Sequence, residues 1–467
     1  MMKKNKISIY IHIPFCRSRC HYCDFCSSVI DKKQVEKYIK YLKKEIHLYK
    51  DILEGREIST IFIGGGTPSS IDEIFIGQIL EEFKNFNFSK DIEITIEANP
   101  NSLSLEKLKK YRNFNINRIS IGAQSFNNKI LKTIGRIHNK EEIFKTVEKI
   151  KEAGFTNFNI DLMLALPYQT LKDIEESVEI LKILNPNHIS YYSLIIEDNT
   201  NIKKLYDKNS SLFPSENMDR KMYHYLVDNL EKIGYDQYEI SNFSKKSFEC
   251  KHNLSYWTLK DYLGFGLSAS SNIRDKRFTN TCSFSSYYKS LDKEKKPIDF
   301  SEILSKKDRM NEFSIMGIRL NSGIDTKNFE EIFSTNFFKY YEKEIGYHIP
   351  ERTPFVGKNF NVTRAGIHAD GLLKNEEIYN IFDTDKLLNR PVLVAVSNTS
   401  GLAGIAHWMN TYYRLKGDKA VDKKSPLVEE VKKWVDKEYE TGRVTAITDS
   451  ELEKVIKESS EKLGINF

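Results

Sequence analysis

Ile7-Ser-Ile-Tyr-Ile-His-Ile13-Pro-Phe-Cys16-Arg-Ser-Arg-Cys20-His-Tyr-Cys23 is the stretch on which the reading of this 467-residue chain turns. Ile7–Ile13 reads as a strand, and the three cysteines follow on the loop at its C-terminal end. Thiolates with three and then two residues between them can ligate three irons of a cubane cluster and leave the fourth iron open. A zinc knuckle is the alternative, although zinc favours four closed ligands and paired hooks. Cys26 can serve as a fourth ligand, which would close the cluster to everything but electron transfer.

Outward from this stretch, β-rich runs at Ile7–Ile13, Thr60–Ile63, Ile92–Glu97, Arg118–Gly122, Asn157–Met163 and His188–Ile195 alternate with helix-like segments. Lys33–Tyr49, Glu141–Ala153 and Leu171–Leu184 carry apolar residues at spacings of three and four. Six βα units in a row predict an α/β fold with a parallel sheet, either open and doubly wound or a partial (β/α)6 barrel. In both, chemistry belongs at the C-terminal ends of the strands. The alternation stops after residue 212, and residues 213–304 read as mostly helical and aromatic-rich. A helix over Lys306–Leu320 opens a short region that runs to residue 345. There the residue usage shifts: residues 1–345 hold five Ala and five Val, whereas residues 346–467 hold seven Ala and eleven Val. Glu344–Tyr347 thus reads as a junction between segments of different origin, giving the divisions 1–212, 213–304, 305–345 and 346–467.

With 40% hydrophobic residues, 28 Phe and 25 Tyr, the chain has the apolar surface that a folded protein needs. A formal charge of +6, with basic residues scattered among acidic ones, argues against nucleic-acid binding. No apolar run is long enough for a membrane span and the N-terminus has no signal-like segment, so a cytoplasmic protein is expected, with at most peripheral membrane contact. Four of the six cysteines crowd into Cys16–Cys26, which favours metal ligation over a disulfide framework.

Gly64-Gly-Gly-Thr-Pro68 closes the second strand on the same rim as the cysteine loop, where backbone amides and carbonyls can hold a charged amino-acid moiety. Together with Tyr10-Ile-His-Ile-Pro-Phe-Cys16, Ile96-Glu-Ala-Asn-Pro100, Arg118-Ile-Ser-Ile-Gly-Ala-Gln-Ser-Phe126, Gly135-Arg-Ile-His138 and Asn159-Ile-Asp-Leu-Met163, it resembles the radical S-adenosylmethionine superfamily. Within that superfamily, residues 7–345 are most similar to the oxygen-independent coproporphyrinogen III oxidases and their relatives, the HemW heme chaperones. The resemblance implies a [4Fe-4S] cluster on Cys16, Cys20 and Cys23. It also implies S-adenosylmethionine contacts from Tyr10, Tyr22, Gly65, Gly66, Thr67, Glu97, Gln124, Arg136 and Asp161. Carboxylates such as Glu97 and Asp161 suit ribose hydroxyls, and Arg136 suits the methionine carboxylate. For any one of these polar residues, structural capping is the alternative.

Oxidases of this group are expected to end the motif Cys-x-Cys; here Cys23-Asp-Phe-Cys26 has two residues between, as in the chaperones. Tyr238-Glu-Ile-Ser-Asn-Phe243, His252-Asn-Leu-Ser-Tyr-Trp257 and Tyr262-Leu-Gly-Phe-Gly266 also resemble the chaperone branch, in which the His-Asn-x-x-Tyr-Trp motif is associated with heme. The resemblance thus implies heme as cargo, His252 as a candidate axial ligand and heme-accepting proteins as partners. The competing readings are coproporphyrinogen oxidation, and a His252 that only pins a loop to the sheet.

Residues 346–467 resemble something else. His348-Ile-Pro-Glu-Arg-Thr-Pro-Phe-Val-Gly-Lys-Asn-Phe360 and Ala365-Gly-Ile-His-Ala-Asp-Gly371 are similar to the post-barrel region of the isopropylmalate and homocitrate synthases, nearest the Re-citrate synthase type. The catalytic barrel of that family is missing, and no two of the ten histidines stand two residues apart to form its His-x-His metal pair. An inactive α/β tail in a chimeric chain, whether a natural fusion, an artefact or engineered, is therefore expected, with His368 lacking a metal or electrophile to serve. The resemblance to the heme chaperones then makes residues 213–304 the heme-binding region and 305–345 a truncated winged-helix-like region.

Overall fold

The computed structural model describes residues 6–350, 353, 357, 362–363, 392–415 and 417–465. The chain divides into two compact units, Met1–Asn336 and Phe337–Phe467, so the boundary lies a few residues before the expected junction. In the first unit twelve strands form one sheet. They are β1 (Lys6–Ile13), β2 (Glu57–Gly65), β3 (Asn87–Ala98), β4 (Arg118–Gln124), β5 (Phe158–Leu164), β6 (His188–Ser193), β7 (Asp236–Glu239), β8 (Asn242–Ser244), β9 (Tyr262–Phe265), β10 (Ser270–Ile273), β11 (Lys276–Asn280) and β12 (Ile298–Ile303). Their spatial order is β12-β11-β10-β9-β1-β2-β3-β4-β5-β6-β8-β7. Strands β1–β6 run parallel, each beside its successor, and are the six runs expected from the sequence.

Alternation along these six strands builds the site. Ile7, Ile9, Ile11 and Ile13 of β1, Ile61 and Ile63 of β2, Ile94 and Ile96 of β3, and Ile119 and Ile121 of β4 belong to the main core with residues of the flanking helices. Those helices, Lys32–Leu48, Glu73–Glu81, Leu105–Asn113, Lys140–Glu152 and Leu171–Leu184, are capped as their sequences dictate. Asp31 accepts from Lys33 N, and Asn139 with Glu142 closes a capping box. The in-between positions are polar or aromatic: Ser8, Tyr10 and His12 on β1, Ser120 on β4, Asn159 and Asp161 on β5, Ser190 on β6. A parallel sheet covered by helices on both faces reads as near-continuous apolar runs; this one keeps a polar face because that face encloses a cavity. Six flat strands at about 4.8 Å spacing would put β1 and β6 about 24 Å apart. Tyr10 of β1 and Tyr192 of β6 nevertheless line one cavity of about 200 Å³, so the sheet curls around it.

The expectation of a mostly helical region over residues 213–304 is not met. Six strands lie there, and they extend the sheet at both ends: β9 pairs parallel with β1, Ser8 opposite Tyr262, and β8 pairs antiparallel with β6. These strands are three to six residues long and several follow one another across tight turns, so the alternation with helices disappears while the sheet continues. Helices Glu216–Lys232, Lys251–Trp257 and Phe284–Asp292 are interspersed among them.

In the second unit, helices Leu402–Tyr412, Pro426–Glu440 and Asp449–Leu463 share a core of Ile405, Trp408, Met409, Leu427, Val431, Val435, Leu452 and Ile456. Its described strands are the two-residue pair Val362–Thr363 and Leu393–Val394. The Ala365–Gly371 block, with His368, lies outside the described residues. No helix among the described residues is long and apolar enough to cross a membrane.

Candidate functional site

The cysteine loop is tied at both ends. Phe15–Cys16 pairs in parallel with Ser28–Val29, and Ser28 N donates to Pro14 O at 2.8 Å, so residues 17–27 form a closed loop at the C-terminal end of β1. Cys16, Cys20 and Cys23 on it are free thiols. Burial pushes the Cys23 thiol up to about 11, with Cys20 and Cys16 adding their own repulsion. Burial likewise raises Cys16, again with Cys20 contributing. Sulfurs close enough to repel one another, and otherwise held protonated, suit a cationic iron cluster that neutralises them as thiolates.

The glycine strap does something other than face a ligand with all its residues. Gly66 N donates to Ile13 O at 2.9 Å and Thr67 N to Phe15 O at 2.8 Å, laying the strap against the cysteine loop. A Cβ on Gly66 would stand 2.8 Å from Phe15 O and 3.0 Å from Cys16 Sγ, so only glycine fits there. Thr67 Oγ1 donates to Cys16 Sγ at 3.7 Å. Gly65 sits at φ +110° and its N–H donates to Glu97 Oε2 at 3.0 Å.

Arg136 reaches the loop from the other side. Its Nη1 donates to Cys20 Sγ at 3.3 Å and its Nη2 to Asn99 Oδ1 at 2.5 Å and to Gly122 O, while Nε has no partner. Tyr22 packs partly buried against Ile130, Ile134, Met163, Leu166 and Ile202 beneath the loop. Gln124 ends β4 in the left-handed region at φ +67°, an uncommon backbone for a non-glycine residue.

Below the rim, Tyr10, Glu97 and Asp161 line the cavity. Tyr10 OH bonds His12 Nδ1 at 3.0 Å. Asp161 accepts from Ser120 OH at 2.9 Å and from Asn159 Nδ2 at 2.7 Å. Glu97 is pushed up to about 8, by burial first and the Asp161 charge second, against the Gly65 N–H and the Arg118 charge. Arg118, Ser120, Asn159 and Ser190 line the cavity too, as does His252, and the sequence motifs assign the first four no role. The signal for them was present as polar residues at every second position of otherwise apolar strands.

Comparison with known proteins places this arrangement. The Radical SAM superfamily model matches residues 10–181, and the HemN C-terminal domain model matches residues 304–348. The heme chaperone HemW of Lactococcus lactis is 38% identical over 339 residues, which is 72% of this chain and 88% of the relative. That of Bacillus subtilis is 36% identical over 326 residues, 69% of this chain and 86% of the relative. The chain belongs to the HemW family. Among solved structures, the radical SAM enzyme coproporphyrinogen III oxidase (HemN) from Escherichia coli superposes with a TM-score of 0.66 at 25% identity, covering 73% of this chain and 82% of that one. The HemN C-terminal domain match ends at residue 348, just past Glu344–Tyr347.

Cys26 and His252 are both engaged within the fold. Cys26 is not available as a fourth cluster ligand, because it forms a disulfide with Cys282 at a Cα–Cα distance of 6.2 Å. Folding brings together cysteines 256 positions apart, which no local spacing announces. His252 is only 1% exposed, on helix Lys251–Trp257. Its Nδ1 bonds Thr60 Oγ1 at 2.7 Å, its Nε2 bonds Tyr256 OH at 2.8 Å, and its ring stacks on Phe62. In this conformation His252 pins its helix to β2; axial ligation requires Thr60 or Tyr256 to release a ring nitrogen. Burial holds the imidazole down at about 3, with the nearby Arg118 charge adding to this, so it stays neutral.

Proposed function

We propose that the protein binds heme and hands it to a heme-accepting protein, and that a [4Fe-4S] cluster on Cys16, Cys20 and Cys23 and S-adenosylmethionine in the adjoining cavity serve that role. The observation that carries this reading is the division of the loop's four cysteines. Three are free on the rim, while Cys26 is tied to Cys282. Three thiolates leave one iron of a cubane open. When bound, the cluster supplies an electron that the sulfonium of S-adenosylmethionine can accept.

The chain's own residues would do the rest. Arg136, already on Cys20, fits an amino-acid carboxylate placed beside the cluster, and its partnerless Nε is the donor left for it. Gly65 and Gly66 bring backbone to the rim, and Thr67 braces Cys16. Glu97 and Asp161 would accept hydroxyl donors, Tyr10 walls the cavity, and Gln124, at the end of β4, and Tyr22, on the cysteine loop, would contribute from the rim. In this reading the curled sheet is the partial (β/α)6 barrel expected from sequence, the chain works in the cytoplasm without nucleic acid, and peripheral membrane contact serves heme pick-up. His252 enters as an axial ligand only if it leaves Thr60 or Tyr256. Residues 346–467 play no part in it; their likeness to a synthase C-terminal fragment rests on sequence alone.

Anaerobic reconstitution of the wild type and of Cys16→Ala, Cys20→Ala and Cys23→Ala tests the cluster. The wild type is expected to hold about four irons and to change its reduced electron paramagnetic resonance spectrum on adding S-adenosylmethionine, and each variant is expected to lose both properties. A spectrum indifferent to S-adenosylmethionine would sink the open-iron reading. The likeness to coproporphyrinogen III oxidase favours a second reading, oxidative decarboxylation of that porphyrinogen. Incubation with coproporphyrinogen, reductant and S-adenosylmethionine separates the two, since formation of protoporphyrinogen refutes the chaperone reading.

A further inference from the structure

We propose that Arg118 forms a carboxylate-binding subsite in the cavity, distinct from Arg136, and that it holds a propionate-type arm of the tetrapyrrole; the proposal deepens the heme reading and rests on it. Arg118 is the first residue of β4, at the opposite end of that strand from the cysteine rim. It is 2% exposed, lines the cavity, and its Nε has no hydrogen-bond partner among the described residues.

None of the three nearby acids supplies one; Glu97 accepts from Gly65 N, and the other two are committed elsewhere. Glu93 Oε1 is taken by His252 N at 3.1 Å and Cys250 Sγ at 3.5 Å, and Glu93 Oε2 by Lys251 N at 3.2 Å. Asp161 spends one oxygen on Ser120 and the other on Asn159. Both act on Arg118 through space and balance part of its charge. Burying a guanidinium with an unused donor costs free energy that folding alone gives no reason to accept. A ligand carboxylate, which matches the planar fork, removes that cost.

A monocarboxylate fits better than a phosphate dianion, because Asp161 lines the same cavity and would repel the second charge. A carboxylate held by Arg136 beside Cys20 is engaged at the rim, so Arg118 serves another. Asn253 and Tyr192 line the same space and can add donors.

The test titrates the reconstituted full chain, as wild type, Arg118→Gln and Arg118→Lys, with two ligand pairs: hemin against its dimethyl ester, and S-adenosylmethionine against its decarboxylated form. Wild type is expected to bind hemin about 10- to 100-fold more tightly than the ester, the scale of one charge-assisted hydrogen-bonded pair. Arg118→Gln is expected to erase that preference, Arg118→Lys to keep part of it, and both to leave the S-adenosylmethionine preference unchanged. Collapse of the S-adenosylmethionine preference instead would keep the subsite and reassign its carboxylate. A wild-type ratio near one for both pairs, or ratios unchanged in the variants, overturns the proposal. If Arg118→Gln does not fold, the Arg118→Lys ratio decides by the same criterion. Failure of every variant and the wild type to bind hemin refutes the heme reading, and the S-adenosylmethionine pair then decides Arg118 alone.

Discussion

Glu45 and Glu97 are both carboxyls that burial pushes upward, and the regions around them are built for opposite ends. Glu45, on helix Lys32–Leu48 and 0% exposed, is raised to about 7, with three donors holding it back from going further. Gly266 N at 2.8 Å, Asn280 Nδ2 at 2.6 Å and Tyr287 OH at 2.6 Å all donate to it. It knots the helix after the cysteine loop to the segments around β9 and β11. Glu97 faces the cavity with one donor, Gly65 N, and with a like charge, Asp161, as its neighbour. A saturated buried carboxyl is a fastener, whereas an under-supplied one facing a cavity awaits a ligand.

The hardest way to break this contrast is Glu45→Ala. It leaves three buried donors without an acceptor and is expected to cost about 3–5 kcal/mol of unfolding free energy. Urea unfolding followed by far-ultraviolet circular dichroism measures it, and a loss below about 1 kcal/mol would show that the knot does not hold the fold. Glu97→Gln is expected to change stability by no more than about 1 kcal/mol near pH 5 and to stabilise the fold increasingly as pH rises towards 8, since it removes a desolvated, repelled group, yet to weaken S-adenosylmethionine binding about 10- to 100-fold. If calorimetry shows unaltered binding, the cavity assignment of Glu97 is wrong.

The two carboxyls also set a pH dependence. Unfolded, both titrate near 4.5, while folded they titrate near 7 and 8. Between these values the unfolded chain has given up protons that the folded chain keeps, so stability falls as pH rises from about 5 and levels off above about 8. Each group contributes at most about 1.4 kcal/mol per pH unit. Glu97→Gln should make the decline shallower, and an unchanged slope would assign it to Glu45 alone. The smallest effect distinguishes Cys26 from its three neighbours. Alkylation of the denatured, unreduced apo-chain is expected to label four of the six cysteines, and all six after reduction; six labels before reduction would return Cys26 to the list of available ligands.

Legibility followed the range of the interactions. The six parallel strands were readable because alternation of β-rich and amphipathic runs is local, and the cysteine rim because its spacing is local too. The strands β7–β12 were missed because short strands are stabilised by their neighbours rather than by their own pattern. Strand β9 exists as the partner of β1, some 250 residues earlier in sequence. In sequence Arg118 looks like an ordinary strand-end residue, and only its unfilled hydrogen bonding in the fold sets it apart.

From sequence alone came the parallel core, the three-thiol loop and the family resemblance, since each depends on residues close together in the chain. Only the tertiary structure decided that Cys26 belongs to Cys282, that His252 has both nitrogens engaged, and that Glu45 and Glu97 differ in role. The reason is physical. Ligand and charge state depend on which donors, acceptors and charges surround a group in three dimensions, and those neighbours come from strands and helices far apart in sequence.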